Sequence, residues 1–119
     1  MDIVGHVYID EGVEVDERYI WIEAEQWAPG EWDSADCNSD VMVSFRDGAE
    51  WVSTFFTYKN IATLIDKYKR SGERLGGKYF WATDMVLVDE LTRQRGEEVV
   101  AHLIKTDDFE KVFSINDDR

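Results

Sequence analysis

Two apolar, β-rich runs, VMVSF (41–45) and AEWVSTFFTY (49–58), stand either side of Arg46-Asp47-Gly48. Asp-Gly between such runs is a strong hairpin signal, because glycine accepts the positive φ that a tight turn demands. No other feature restricts the fold as much. It requires an antiparallel sheet, and every other segment must either extend that sheet or cover it.

The flanking segments supply both. Residues 2–9 and 18–27 read as strands joined by the turn-rich DEGVEVDE. Over 18–27 the alternation puts Tyr19, Trp21, Glu23, Glu25 and Trp27 on one face, and Ile20, Ile22, Ala24 and Gln26 on the other, the pattern of a half-buried strand. Residues 28–40 hold the one proline among Gly, Ser, Asn and Asp, and read as a loop. Ile61, Leu64, Ile65 and Tyr68 recur at helical spacing, with Asn60 as N-cap and Gly72 as stop, and this stripe is expected to pack on the sheet. A turn-rich linker (72–77) leads to a fifth strand within 78–90, centred on Met85–Val88. A second helix is expected over about 92–105, with Val99, Val100, Leu103 and Ile104 as its apolar face and Gly96 weakening its first turns. Thr106 or Asp107 would cap a short last helix carrying Phe109, Val112 and Phe113, and residues 116–119 should fray. The reading is one α+β domain over 1–119: an antiparallel sheet of about five strands, covered on one face by two to three helices.

Charge is unevenly placed. The first forty residues carry twelve acids against one base, Arg18, while the remaining residues carry fourteen acids and twelve bases. A regional field of this kind acts on partners more than on the fold. It opposes direct contact with nucleic acid or an anionic membrane surface, both of which require Lys and Arg. No apolar run approaches the roughly 20 residues of a membrane span. The opening MDIVGHVYIDEG lacks a basic n-region, and the lone Cys37 permits no internal disulfide, so a cytoplasmic protein is expected.

Few residues offer chemistry. Asp36, Asn38 and Asp40 match the start of a calcium loop, with Asp47 at its twelfth position, yet Val41 stands where the turn glycine belongs. The alternative is that these residues make loop turns, and no metal or other cofactor is assigned. Cys37 with His6 or His102 could form a nucleophile pair only if the fold joined them, and carboxylates around Cys37 would blunt it. Glu23 and Glu25, about 6–7 Å apart on one strand face, have the separation of a hydrolase pair, although a solvated strand face looks the same. Phosphate-loop, zinc and dinucleotide signatures are absent. No catalytic residue is assigned.

The aromatic residues divide. Trp51, Phe55, Phe56, Tyr79, Phe80 and Trp81 lie in β-rich runs and are expected mostly in the core. Trp21 and Trp27 share a face with Glu, and Trp32 lies in the acidic loop. Rings for contact and carboxylates for steering make a partner-binding face of Trp21, Glu23, Glu25, Trp27, Glu31, Trp32, Asp33 and Asp36. The competing reading is a tryptophan laid over the edge of its own sheet.

The stretches VSFRDGAEWVSTFFTYKNI (43–61) and GERLGGKYFWATDMVLVDEL (72–91) resemble a family of small uncharacterised bacterial proteins with a DG hairpin, an FFTYKNI segment and a GKYFW segment. The likeness spans roughly residues 40–115 and brings no catalytic residues with it. In type, a small acidic single-domain chain of this kind also resembles immunity proteins of toxin systems. Taken together, the expected function is a non-enzymatic inhibitor of a basic, nuclease-type protein. One alternative is a small enzyme or ligand-binding domain, with a pocket between sheet and helices and carboxylates such as Asp84 or Asp89. The other is a DNA-mimicking anti-restriction protein. Oligomeric state stays open.

Overall fold

The computed structural model describes the backbone at 7–9 and 13–16, and residues 18–116 in full. Among the described residues, β1 (Val7–Ile9) pairs antiparallel with β2 (Val13–Asp16) as a separate two-stranded sheet. A strand therefore occupies part of the segment expected to be only a turn. The acids at 2, 10, 11 and 17, His6 and residues 117–119 lie outside the described residues.

The main sheet is built on the hairpin of β4 (Asn38–Phe45) and β5 (Glu50–Thr57), with Val43 opposite Trp51. Gly48 closes the turn at φ 92°, and Asp47 accepts the Ala49 N–H. β3 (Arg18–Ile22) adds antiparallel to β4, and β6 (Met85–Val88) adds to the other side of β5. A short β7 (Ser114–Ile115), which the sequence pattern did not suggest, pairs with the first residues of β5. The α+β class and five-stranded sheet stand, with one refinement. β6 runs parallel to β5, so the segment between them is a crossover rather than a hairpin.

β3 is shorter than its alternation implied. The chain leaves the sheet after Ile22 and turns through one 3-10 helix, Glu23–Gln26. Ala24 is drawn into the core and donates its N–H to Ser39 Oγ. That bond ends the strand, so Trp27 does not share a strand face with Trp21.

Strand alternation divides the sheet cleanly. Ile20, Ile22, Val41, Val43 and Phe55 are fully buried on one face, where α3 (Arg93–Lys105) and α4 (Phe109–Val112) pack. Val100 and Leu91 complete this core, with Val99, Leu103 and Ile104 against it. Phe109 stacks on Phe113 at 4.3 Å and meets Phe45 and Trp51 edge-on. Gly96 has a packing role: a Cβ there would lie 3.1 Å from Ile22 Cδ1, so glycine lets α3 approach β3. Thr92 caps α3, its side chain accepting the Arg95 N–H. The short α4 takes no side-chain cap.

α1 (Tyr58–Ser71) departs from expectation. Its N-cap is Thr57, the last residue of β5, whose hydroxyl accepts the Asn60 N–H. Ile61, Leu64, Ile65 and Tyr68 are only half-buried; the buried residue of this helix is Asn60. Gly72 stops it in the left-handed region, as its position implied. The helical turn that follows, α2 (Glu73–Gly77), is left-handed, with Arg74, Leu75 and Gly76 at φ 52°, 54° and 68°. Gly77 is obligatory, since a Cβ there would sit 2.6 Å from the Ile65 carbonyl oxygen.

Candidate functional site

The loop between the 3-10 turn and β4 is rich in acids and closely tied to the body of the protein. Ala28 donates to Glu31 Oε1 while Glu31 donates its N–H back to the Ala28 carbonyl. Asp33 Oδ1 accepts the Ala35 N–H, a turn typical of Asp. Ser34 accepts the Leu91 N–H at 2.8 Å, which ties the loop to the turn after β6. Cys37 exchanges two bonds with Thr57, its N–H donating to Oγ1 and its carbonyl accepting the Thr57 N–H.

Asp36 is the pivot of this loop. Its Oδ1 accepts from Asn60 Nδ2 at 2.9 Å and its Oδ2 from Thr63 Oγ1 at 2.8 Å. Asn60 in turn accepts from Asn38 Nδ2. The Asn60 amide and then the Thr63 hydroxyl hold the Asp36 carboxyl below its ordinary value, with Lys59 adding to the effect. Asp40 accepts from Thr54 Oγ1, and Glu23 accepts the Asp40 N–H. The bonds that Glu23, Glu31, Asp33, Asp36 and Asp40 accept here come from neutral N–H and O–H donors. Each carboxylate is thus oriented while its charge is left in place.

Glu25 behaves differently. It forms a two-pronged ion pair with Arg93, whose Nη1 also donates to the Ile20 carbonyl and to Glu97. Glu25 first, then Glu97, stabilises the Arg93 cation further against loss of its proton. Glu23 and Glu25 therefore point to different partners from a 3-10 turn, and the paired-carboxylate reading fails with the strand that carried it.

The tryptophans also separate. Trp27 and Trp32 pack against the core cluster, so the loop is pinned by its rings rather than displaying them. Trp32 Nε1 is buried without a hydrogen bond of ordinary geometry. Burial pushes the Cys37 thiol up, opposed by the Trp32 indole and reinforced by Asp33 and Asp36. Trp21 lies on the opposite sheet face, beside Tyr19, Met42, Ser44 and Glu50 around a shallow depression. Of the eight expected contact residues, Glu31, Asp33 and Asp36 share one loop with Asp40 at its end. Glu23 reaches Asp40, and Trp21 and Glu25 point elsewhere.

The calcium pattern is put to other use. β4 starts at Asn38, and the Asp36, Asn38 and Asp40 side chains go to Asn60, Thr63 and Thr54. Among the described residues no three His, Cys, Asp or Glu side chains gather as a metal site would need. Asp84 has φ 49°, and its carbonyl takes Thr54 N–H and Ser53 Oγ. Asp89 is clamped by Arg95, which lowers its carboxyl pKa. Neither lines a cavity of about 680 Å³ whose lining includes Phe45, Trp51, Ile104 and Phe109 together with Asp47, Asp107 and Glu110.

Two rings expected in the core are outside it. Tyr79 is 47% and Trp81 60% exposed, and Leu75 beside them is 70% exposed. The sequence marked 72–77 as a turn-rich linker, and nothing in the pattern marked the rings after it as exposed. No helix among the described residues is long and apolar enough to cross a membrane. The chain matches no protein-family model, and searches of curated proteins and of solved structures returned no significant match.

Proposed function

We propose that this chain is a non-enzymatic acidic binding protein that occupies the cationic surface of a basic partner, in the manner of an immunity protein against a nuclease-type toxin. The observation that carries this reading is the way the acidic loop is held. Glu31, Asp33 and Asp36 of the loop, and Asp40 in the first residues of β4, are fixed by neutral donors, and the loop is anchored at Ser34 and Cys37. Negative charge held in place mainly by neutral donors raises the encounter rate with a cationic surface and loses little entropy on docking. A protein that handles nucleic acid must display Lys and Arg, and so meets that requirement. Among the described residues, each displaced carboxyl pKa (Asp36, Asp89, Asp108) moves down, away from what a general acid needs.

The test is capture from lysate of the source cells at low salt, with wild type and a Glu31→Lys/Asp33→Lys variant run side by side. A basic protein held by wild type, released as salt rises and missing from the variant supports the reading. The same protein held equally by both would sink it.

One observation favours a second reading, a ligand-binding domain. The 680 Å³ cavity is lined by three aromatic rings, Phe45, Trp51 and Phe109, and three carboxylates, and its size suits a small molecule. A small molecule co-purifying with the chain and lost on Trp51→Ala would favour it.

A further inference from the structure

α1 separates two unlike surfaces. At its first turn, Asn60 and Thr63 hold Asp36 and the acidic loop. With 14 residues at about 1.5 Å each, its far end lies about 20 Å away. There the chain is apolar and basic. Residues 66–78 contain five bases (Lys67, Lys69, Arg70, Arg74 and Lys78) against two acids, Asp66 and Glu73. Leu75, Tyr79 and Trp81 project from this region at 70%, 47% and 60% exposure.

The far end is also rigid. The Arg74 guanidinium lies 4.9 Å from the Phe80 ring centre, 5.6 Å from Tyr68 and 6.0 Å from Tyr79, and donates to the Trp81 carbonyl at 3.0 Å. Lys78 Nζ donates to the Leu75 carbonyl. Arg74 and Leu75 sit at positive φ, a conformation that crowds the Cβ of an L-residue. Strain of this kind persists where the surroundings enforce it, and it gathers at functional sites. Here it accompanies an outward Leu75, with Arg74 next to it in the chain and Lys78 bonded to its carbonyl.

We propose that this turn is a docking surface for the acidic loop of a second copy of the same chain, in head-to-tail association. The occupant follows from charge and distance. Glu31, Asp33 and Asp36 supply the negative counterpart to Arg74, Lys78 and Arg70, the last of which also pairs with Asp66 of its own helix, and within one copy α1 holds the two apart. Face-to-face pairing would set acid against acid, whereas head-to-tail pairing sets acid against base. The exposed rings supply apolar anchors that charge alone lacks. Such an interface is heterologous and builds rings or open chains. The proposal stands independently of a basic partner.

The test is sedimentation velocity on the whole chain over a concentration series at low salt, repeated at about 1 M salt, where screening shortens to about 3 Å. Wild type should exceed the 13.9 kDa of one chain, increasingly with concentration, and return towards it in high salt. Glu31→Lys/Asp33→Lys and Arg70→Glu/Lys78→Glu should each stay at the single-chain mass. An equimolar mixture of the two should associate again, because one keeps the acidic loop and the other the basic turn. Trp81→Ala, which removes an exposed ring without altering charge, should also dissociate. Circular dichroism confirms that each variant is folded. Wild type at the single-chain mass throughout would overturn the proposal, as would charge-reversed variants that associate like wild type or folded variants whose mixture stays dissociated.

Discussion

Asp36 and Asn60, 24 positions apart, are joined by a 2.9 Å hydrogen bond from the Asn60 amide to the Asp36 carboxylate. The bond ties the acidic loop to the first turn of α1, and it also depresses the Asp36 pKa. A depressed carboxyl contributes stability that is present above its unfolded value, near the ordinary 3.8, and is lost as pH falls through the folded value. Asn60→Ala should therefore raise the Asp36 pKa and flatten acid destabilisation of the chain below about pH 4. It should also cost about 1–3 kcal/mol near neutrality through the buried polar contacts it breaks. Carboxyl NMR titration with urea denaturation at two pH values reads both effects.

Thr57 is fully buried, and its hydroxyl accepts two backbone N–H groups, from Asn60 and Cys37. Thr57→Val keeps the shape and removes both acceptors. The lost cap and the stranded Cys37 N–H should together cost about 2–4 kcal/mol in denaturant unfolding.

Gly77→Ala places a Cβ 2.6 Å from the Ile65 carbonyl oxygen at φ 81°. Calorimetry should show a loss of about 1–3 kcal/mol. Gly30→Ala, at similar φ with open space around it, should cost less, the difference reporting the clash alone.

Cys37 is buried, and its thiol pKa is raised. Thiolate, the reactive form, is thus scarce and shielded. Labelling by a thiol reagent at pH 8 should be slow in the native protein and rapid in denaturant. Fast native labelling would mean the loop opens freely, contrary to its anchoring at Thr57.

Glu31→Lys/Asp33→Lys alters exposed side chains, and the local turn bonds are the structural cost. Stability should fall by less than about 1 kcal/mol, while the association rate with a basic partner should drop and lose its salt dependence. Stopped-flow mixing at two ionic strengths measures this.

How far the sequence could be read follows the range of each interaction. The Asp47-Gly48 hairpin, the Gly72 stop and the α3 stripe rest on contacts within a few residues, and all were legible. The end of β3 was not. Glu23-Ala24-Glu25-Gln26 continues the alternation on paper, and what bends it are Ser39 and Arg93, distant in sequence. Thr57 displaced Asn60 as the cap because Asn60 is committed to Asp36 and Asn38, a three-way contact no local pattern displays. The parallel sense of β6 depends on where a crossover packs. At the candidate site the abundance of acid was plain. That five of the acids keep their charge beside neutral donors, while Glu25 is neutralised by Arg93, required the fold. So did the exchange of roles among the aromatic residues, with Trp27 and Trp32 pinned inward and Trp81 left outside.

The parallel pairing of β6 bears on the order in which the molecule is made. Thr54 and Met85, partners in that pairing, are 31 positions apart, whereas β4 and β5 meet across a tight turn. Hairpins form in about 1–10 μs, and distant pairings must first meet the entropy of closing a longer loop. Of the acidic loop's two anchors, Thr57 at the end of β5 is in place early and Leu91 follows with β6. The basic turn lies inside the crossover, is made later than the acidic loop, and packs on α1 through Arg74 and Gly77. A nascent chain would present its negative surface before its positive one.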